Sequence, residues 1–307
     1  MAAPNEDDRF EQLIRKLEPR SRLLRAWELK GGVSAQVTAL EIELPGGHTR
    51  KLVVRKHGST DLERNPNIAA DEFRLLQTLQ SAGLPAPRPY HLDQSGDLFP
   101  TPYVVLEYIE GEPDFAPSDL HGCLLKLAQL LFSIHSVDLS AFDLSYLPGQ
   151  EDIYNRKLTE RPAKLDESIG EWRIRDTLET AWPFPRRNLP VLLHGDFWPG
   201  NILWREGRLV GVLDWEDAGL GDPLEDLGKS RLEMLWAFGV AAMHSFTRHY
   251  QSVAALDYAN LPYWDLCAAL RPAFKLTEWA SDDDAERAMR EKHAWFVEQA
   301  FEKLAAQ

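Results

Sequence analysis

The chain is 307 residues long, carries a formal net charge of −14 and has two cysteines. That length suits one large or two medium folding units with a sizeable core, and no apolar run approaches the roughly 18 residues that cross a bilayer. The acidic balance argues against a nucleic-acid surface, which needs a basic stripe, and favours a cationic or neutral ligand.

The opening residues, Met1 to Phe10, are acidic and polar and lack the basic-then-apolar order of a secretory signal. A soluble, cytoplasmic protein with no membrane or nucleic-acid partner is therefore expected. The stretch Lys30 to Gln36 holds Gly31, Gly32 and Ser34, which read equally as a plain turn or as a loop whose backbone N–H groups can approach an anion. Val37 to Leu44 alternates, with Leu40, Ile42 and Leu44 on one face, and Pro45-Gly46-Gly47 turns the chain into Thr49 to Lys56, which predicts an antiparallel hairpin. A helix from Ala69 to Ala82 is stopped by Gly83 and Pro85, and an apolar strand follows from Tyr103 to Tyr108. Beyond Gly111 the period changes: Leu120, Leu124, Leu127, Leu131 and Ile134 fall at helical spacing, and helical signals continue to the end except between Val191 and Asp214. The boundary falls near Glu110 to Pro117, where Gly111, Pro113 and Pro117 cluster. The expected fold is α+β and two-lobed, with a small antiparallel sheet of about five strands in residues 1–110 and a larger helical lobe in residues 111–307. Cys123 and Cys267 lie far apart in apolar surroundings, with no second thiol nearby for a zinc or redox pair, and read as buried small hydrophobes.

Residues 191–215, VLLHGDFWPGNILWREGRLVGVLDW, carry the chemistry. A strand end delivers His194-Gly195-Asp196, a loop follows, and Asn201 opens a short strand from Ile202 to Trp204. Arg205-Glu206-Gly207 turns the chain, and Arg208 to Leu213 returns to Asp214. Singly, Asp196 and Asn201 read as turn residues and Asp214 as a strand-end cap. Together, in this order, they suit phosphoryl transfer, which asks the protein mainly for positioning and charge neutralisation. Asn201 and Asp214 offer hard oxygen ligands for magnesium beside the phosphates of a nucleoside triphosphate, and Asp196 can accept the proton of an attacking hydroxyl. The spacing Asp-x-x-x-x-Asn is that of the kinase catalytic loop. His194 reads as a support for the loop in preference to a catalytic group.

HGDFWPGNILW followed by GVLDWEDAGLGDPLEDLG resembles the aminoglycoside phosphotransferase and choline kinase family, relatives of the protein kinases. The resemblance covers most of the chain and is strongest from Leu193 to Leu227. It implies a kinase-like two-lobed fold, with Asp196 as catalytic base, Asn201 and Asp214 as magnesium ligands, and Asp222 and Asp226 bracing the loop and the next helix. Where a protein kinase has Arg before its catalytic Asp and Lys two after it, this chain has Gly195 and Trp198. The stretch from Asp214 to Asp222 is also too short for an activation segment that docks a peptide, which disfavours protein substrates.

On the nucleotide side, Gly31, Gly32 and Ser34 resemble the family's phosphate-covering loop. Leu52 to Lys56 lies where kinases carry Val-Ala-Ile-Lys. Aligned on that frame, Arg55 takes the place of the lysine and Val53 lines the adenine pocket, while Lys56 points the other way. Glu72, on a helix face with Leu76 and Leu79, is the expected partner of Arg55. Glu107 to Ile109 would form the hinge that offers backbone groups to the purine, so ATP and GTP both remain open as co-substrates. The acceptor is a small hydroxylated molecule of aminoglycoside-, choline- or sugar-like class. Ser281 to Asp284 reads as a helix N-cap with acids in the first turn in preference to a polycation site, and Trp264, Trp279, Trp295 and Phe296 read as helical core in preference to an ammonium cage. A nucleotide-binding regulator without catalysis and a protein kinase are the alternative functions.

Overall fold

The computed structural model describes residues 6–29 and 35–306. The chain forms two compact units, Met1–Gly111 with Arg205–Glu216, and Glu112–Trp204 with Asp217–Gln307. The division departs from a single cut after residue 110 in one respect that matters for the chemistry: the segment carrying Asp214 packs with the first unit.

The first unit contains α1 (Glu6–Leu17), β1 (Arg22–Glu28), β2 (Ala35–Glu43), β3 (Thr49–His57), α2 (Ser59–Arg64), α3 (Ile68–Ser81), β4 (Pro89–Asp93) and β5 (Tyr103–Glu107). Its five strands form one antiparallel sheet in the order β1-β2-β3-β5-β4. Because successive strand residues face opposite sides, Leu40 and Ile42 of β2 join Leu52 and Val54 of β3 under Phe10, Leu13 and Ile14 of α1 in one core. Burying each such side chain contributes roughly 1.5–3 kcal/mol. The same alternation puts Lys56 on the α1 face, where its ammonium pairs with Glu6 and lies 4.9 Å from the Phe99 ring centroid. Val53 and Arg55 face the other side. There α3 buries Glu72, Leu76 and Leu79 together, the face that its spacing predicts.

The second unit contains α4 (Leu120–His135), α5 (Gln150–Thr159), α6 (Glu171–Ala181), β6 (Val191–Leu193) and all but the last residue of β7 (Ile202–Arg205). After β8 (Arg208–Val212), which falls in the first unit, come β9 (Gly219–Gly221), α7 (Pro223–Phe238), α8 (Val240–Val253), α9 (Leu261–Ala269), α10 (Leu276–Trp279) and α11 (Asp283–Ala305). Helix α7 packs against α8, α9 and α11 and is held by a buried fork: Arg231 Nε and Nη2 donate to the two carboxylate oxygens of Asp265 at 2.8 and 3.0 Å, and Nη1 donates to Thr247 at 2.6 Å. A bidentate pair of this kind satisfies both charges without water.

Both cysteines are free and buried, and burial pushes the Cys123 thiol up to about 11. Two expectations need correction. The cap of α11 is Asp282, whose carboxylate accepts the Ala285 N–H at 2.8 Å, while Ser281 only donates to Asp282. Of the four aromatic residues expected in the core, Trp264 and Phe296 are buried, but Trp279 and Trp295 are 40% and 38% exposed on outer helix faces. Among the described residues no helix is long and apolar enough to cross a membrane.

The approach of α7 to α9 is close. A Cβ on Gly228 would stand 2.8 Å from the Trp264 carbonyl oxygen, a fixed backbone atom. Gly228→Ala is therefore expected to destabilise the protein by about 1–3 kcal/mol through overpacking, read as a lowered urea midpoint with an unchanged slope.

Candidate active site

In the first unit the predicted cation sits among carboxylates. Arg55 Nε lies 3.6 Å from Glu72, and Nη2 lies 3.3 Å from Asp214 and 2.6 Å from Glu216, with the side chain 12% exposed. Burial opposes this charge, but the three carboxylates outweigh it and hold the guanidinium ionised above its ordinary range. Glu72 is itself buried, which favours the neutral acid, yet Arg55 and then His57, whose Nε2 lies 2.9 Å from Glu72 Oε2, bring its pKa below the ordinary value. Asp214 has φ 61°, a left-handed backbone that few residues other than glycine adopt. Such conformations persist where the surroundings impose them, frequently at functional sites.

Glu107 closes β5. Its N–H already donates to the Arg88 carbonyl at 2.8 Å, and its carboxylate accepts the Arg88 N–H at 3.2 Å. Ile109 lies over Gly211 of β8, and Val53 is half-buried beside the β5 strand. Gly31, Gly32 and Ser34 lie outside the described residues. The sequence reading missed Glu216, although its place two residues after Asp214 was a usable signal.

In the second unit the loop after β6 hangs from α7. The Asp226 carboxylate, wholly buried, accepts the backbone N–H of His194 at 2.7 Å and of Gly195 at 2.8 Å. One turn on, Lys229 donates to the Gly195 carbonyl at 2.7 Å and Ser230 to the Phe197 carbonyl at 3.0 Å. The positions 226, 229 and 230 share one helix face, so a single face of α7 fixes three consecutive peptides and a fourth residue on. Gly195 has φ 82°, and a Cβ there would lie 2.0 Å from the Asp217 carbonyl oxygen. This chain therefore has no room for the arginine that protein kinases place at that position. His194 is buried and accepts the Asp196 N–H through Nδ1 at 3.2 Å, a supporting contact within the loop.

Asn201 ends the short 3-10 turn Pro199–Asn201, and its amide nitrogen donates to the Asp196 carbonyl at 2.9 Å and to Asp196 Oδ2 at 3.1 Å. Asp196 Oδ1 is ion-paired with Arg271, which also lies 3.4 Å from Glu233. Neither Arg271 nor Glu233 was anticipated. Arg271 is 75 residues from Asp196 in the chain, and nothing in its local pattern signals the contact. Asp222 caps α7 by accepting the Leu224 N–H at 3.0 Å and also accepts from Asn188 at 3.2 Å. Among the described residues no group of three or more His, Cys, Asp or Glu side chains is placed to hold a metal ion.

Burial raises the Asp226 pKa, but His135, Lys229 and His194 outweigh it and bring the carboxylate to about 2 from 3.8. A folded-state value below the unfolded one stabilises at neutral pH, and that contribution disappears as pH falls from about 4 through 2. Asp226→Asn, which cannot accept both N–H groups, is expected to lower stability at pH 7 by about 3–5 kcal/mol. Its urea midpoint should then change less than that of the wild type between pH 4 and 2.

A family profile described as the phosphotransferase enzyme family matches residues 28–270. Among curated proteins, mouse acyl-CoA dehydrogenase family member 10 is 31% identical over 199 residues, covering 60% of this chain and 18% of its own length. Viomycin phosphotransferase of Streptomyces vinaceus is 27% identical over 226 residues, covering 67% of this chain and 75% of its own. Among solved structures, a thermostable mutant of aminoglycoside phosphotransferase APH(4)-Ia, in ternary complex with ADP and hygromycin B, aligns with TM-score 0.62 and 18% identity over 94% of this chain and 97% of that one. At that identity the likeness carries the fold, which is the kinase-like α+β fold with an antiparallel-sheet unit and a larger helical unit. The family profile spans well over half of the sequence, and the chain belongs to the phosphotransferase enzyme family.

Proposed function

We propose that the protein transfers the γ-phosphate of ATP or GTP to a hydroxyl of a small molecule, with Asp196 as base and magnesium held by Asn201 and Asp214. The observation that carries this reading is the orientation of Asn201. Its amide nitrogen is spent on the Asp196 carbonyl and carboxylate, so the amide oxygen is the end left for a hard cation. The donor set fits magnesium, which takes few protein ligands and fills its remaining positions with water and phosphate oxygens. When bound, the ion would neutralise charge on the β- and γ-phosphates.

The chain's own residues supply the rest. Arg55, kept ionised and braced by Glu72, is the candidate contact for the phosphate oxygens, with Val53 on the same strand face beside the base. The candidate loop of Gly31, Gly32 and Ser34 would cover the phosphates, and the 107–109 segment would meet the purine through backbone groups other than the Glu107 N–H, which donates to Arg88. In the transfer, the acceptor oxygen bonds to the γ-phosphorus, the bond from that phosphorus to the β-γ bridging oxygen breaks, the hydroxyl proton passes to Asp196, and the nucleoside diphosphate leaves. Aminoglycoside-, choline- and sugar-like alcohols are the acceptor classes that the resemblance puts first. A cytoplasmic site of action accords with this chemistry, because nucleoside triphosphates are its co-substrates.

Incubation of the purified protein with ATP or GTP, magnesium and a panel of hydroxylated compounds should yield a phosphorylated small molecule; nucleotide binding without any turnover would instead support a regulator. Asp196→Asn should reduce single-turnover transfer by about 10²–10⁴-fold while nucleotide affinity stays almost unchanged. A wild-type rate with chemistry limiting would remove Asp196 from the role of base. Asp214→Ala should abolish magnesium-dependent turnover, and Arg55→Ala should chiefly weaken nucleotide binding. The control is Lys56→Ala: were it, and not Arg55→Ala, to lower nucleotide affinity, the phosphate contact would be misassigned.

A further inference from the structure

Both oxygens of the Asp196 carboxylate are engaged within the second unit, Oδ1 by the Arg271 guanidinium and Oδ2 by Asn201. Arg271 stands in the turn after α9 and is anchored there. Its backbone N–H donates to the Ala268 carbonyl at 3.0 Å, and three residues on the Phe274 N–H donates to Asp166 at 2.7 Å. The side chain is 20% exposed, and beyond Asp196 its carboxylate neighbours are Glu233, 3.4 Å away, and the more distant Glu225. Burial, with the nearby Asp196 charge, pushes Glu233 up to about 7 against the pull of Arg271, and the partner that Arg271 holds most directly is Asp196.

Two further cations lie close by. Lys229 is committed to the Gly195 carbonyl and to Glu225, 2.6 Å away. Lys157 is buried, and burial first, then the nearby charges of Lys229 and Arg271, bring its ammonium down to about 8. Arg271, Lys229 and Lys157 thus lie near one another, with Glu225 and Glu233 among them.

We propose that the acceptor carries an oxyanion, a carboxylate or a phosphate ester, that replaces Asp196 on Arg271, so that Arg271 selects the acceptor by charge. This inference rests on the reading of Asp196 as base. The guanidinium takes one acceptor direction of Oδ1 and lowers the basicity of the carboxylate, so an acceptor that offers Arg271 another partner makes Asp196 a better base. An oxyanion does so with the geometry that a planar guanidinium matches best. A cationic alcohol does the reverse: it competes with Arg271 for Asp196 and brings like charges together, a repulsive element against the wrong ligand. The aminoglycoside- and choline-like classes are thereby disfavoured, and so is the preference for a cationic or neutral ligand drawn from net charge.

The test is a set of matched acceptors on common carbon skeletons: hydroxy acids, their primary amides, the corresponding trimethylammonium alcohols, and hydroxyalkyl phosphates. The wild-type protein with magnesium and ATP or GTP should phosphorylate acids or phosphate esters, the more active series identifying the source of the oxyanion, and amides at least about 10-fold less well. Arg271→Gln should lower kcat/KM for the favoured anion by about 10- to 150-fold, the effect of losing a hydrogen bond to a charged group, and bring the anion-to-amide ratio close to one. Arg271→Lys should restore part of that ratio, and nucleotide KM should be unchanged in both. Equal use of acids, phosphate esters and amides by the wild type, preference for the ammonium series, or a ratio insensitive to Arg271→Gln in a folded variant would overturn the proposal. If no compound is phosphorylated, calorimetric binding of the same compounds separates the two readings. Binding of anions that depends on Arg271 keeps the anion site and removes the transfer reaction, whereas binding without charge preference removes the site as well.

Discussion

A buried carboxylate that receives two consecutive backbone N–H groups holds the loop on which the proposed chemistry depends. Asp226 accepts from His194 and Gly195, and its Oδ2 lies 3.2 Å from His135 Nε2, whose second ring nitrogen lies 2.5 Å from the Tyr250 hydroxyl. A carboxylate sealed from water is costly unless every lone pair finds a partner. The arrangement is therefore exacting: moving the loop strands the charge, and removing the charge strands two peptide N–H groups. Lys229 and Ser230 extend the same constraint along the loop, and the Arg231 fork fixes the helix that carries them. The position of Asp196 is thus set by the core of the helical unit more than by the loop's own sequence.

Charge is distributed differently in the two units. In the first, Arg55 lies among the carboxylates of Glu72, Asp214 and Glu216, with His57 on the far side of Glu72. In the second, Arg271 pairs with Asp196 and with Glu233, whose pKa burial raises. The net charge of the chain describes neither environment. Ligand preference follows local pairing and desolvation, because interactions between exposed charges are screened beyond about 10 Å at moderate salt.

Elements of the fold and site were legible wherever the causal pattern is local. Alternation in β2 and β3 specified which residues enter the core and separated Arg55 from Lys56, since a strand's side chains cannot share a face with their immediate neighbours. Helical spacing put Glu72 on the face of Leu76 and Leu79. Errors came where exposure depends on what packs outside a helix. Trp279 and Trp295 each meet one ring of a neighbouring helix, Trp236 and His244, yet stay 40% and 38% exposed, and the choice of Asp282 over Ser281 as a cap turns on which side chain reaches the Ala285 N–H.

By itself the sequence determined the family, the kinase-like α+β class, and the candidate set Asp196, Asn201 and Asp214, because short-range spacing in residues 191–215 carries them. It also required a residue without a side chain at 195, although the reason, the Asp217 carbonyl occupying that space, is visible only in the fold. Tertiary structure alone decided the company those residues keep: Glu216 beside Arg55, Asp226 beneath the loop, and Arg271 on Asp196. Contacts between residues 75 or more positions apart, as in the last case, leave no periodicity to read. They arise from helix packing in the second unit, which brings the turn after α9 to the loop after β6, and no local preference of either segment encodes that meeting.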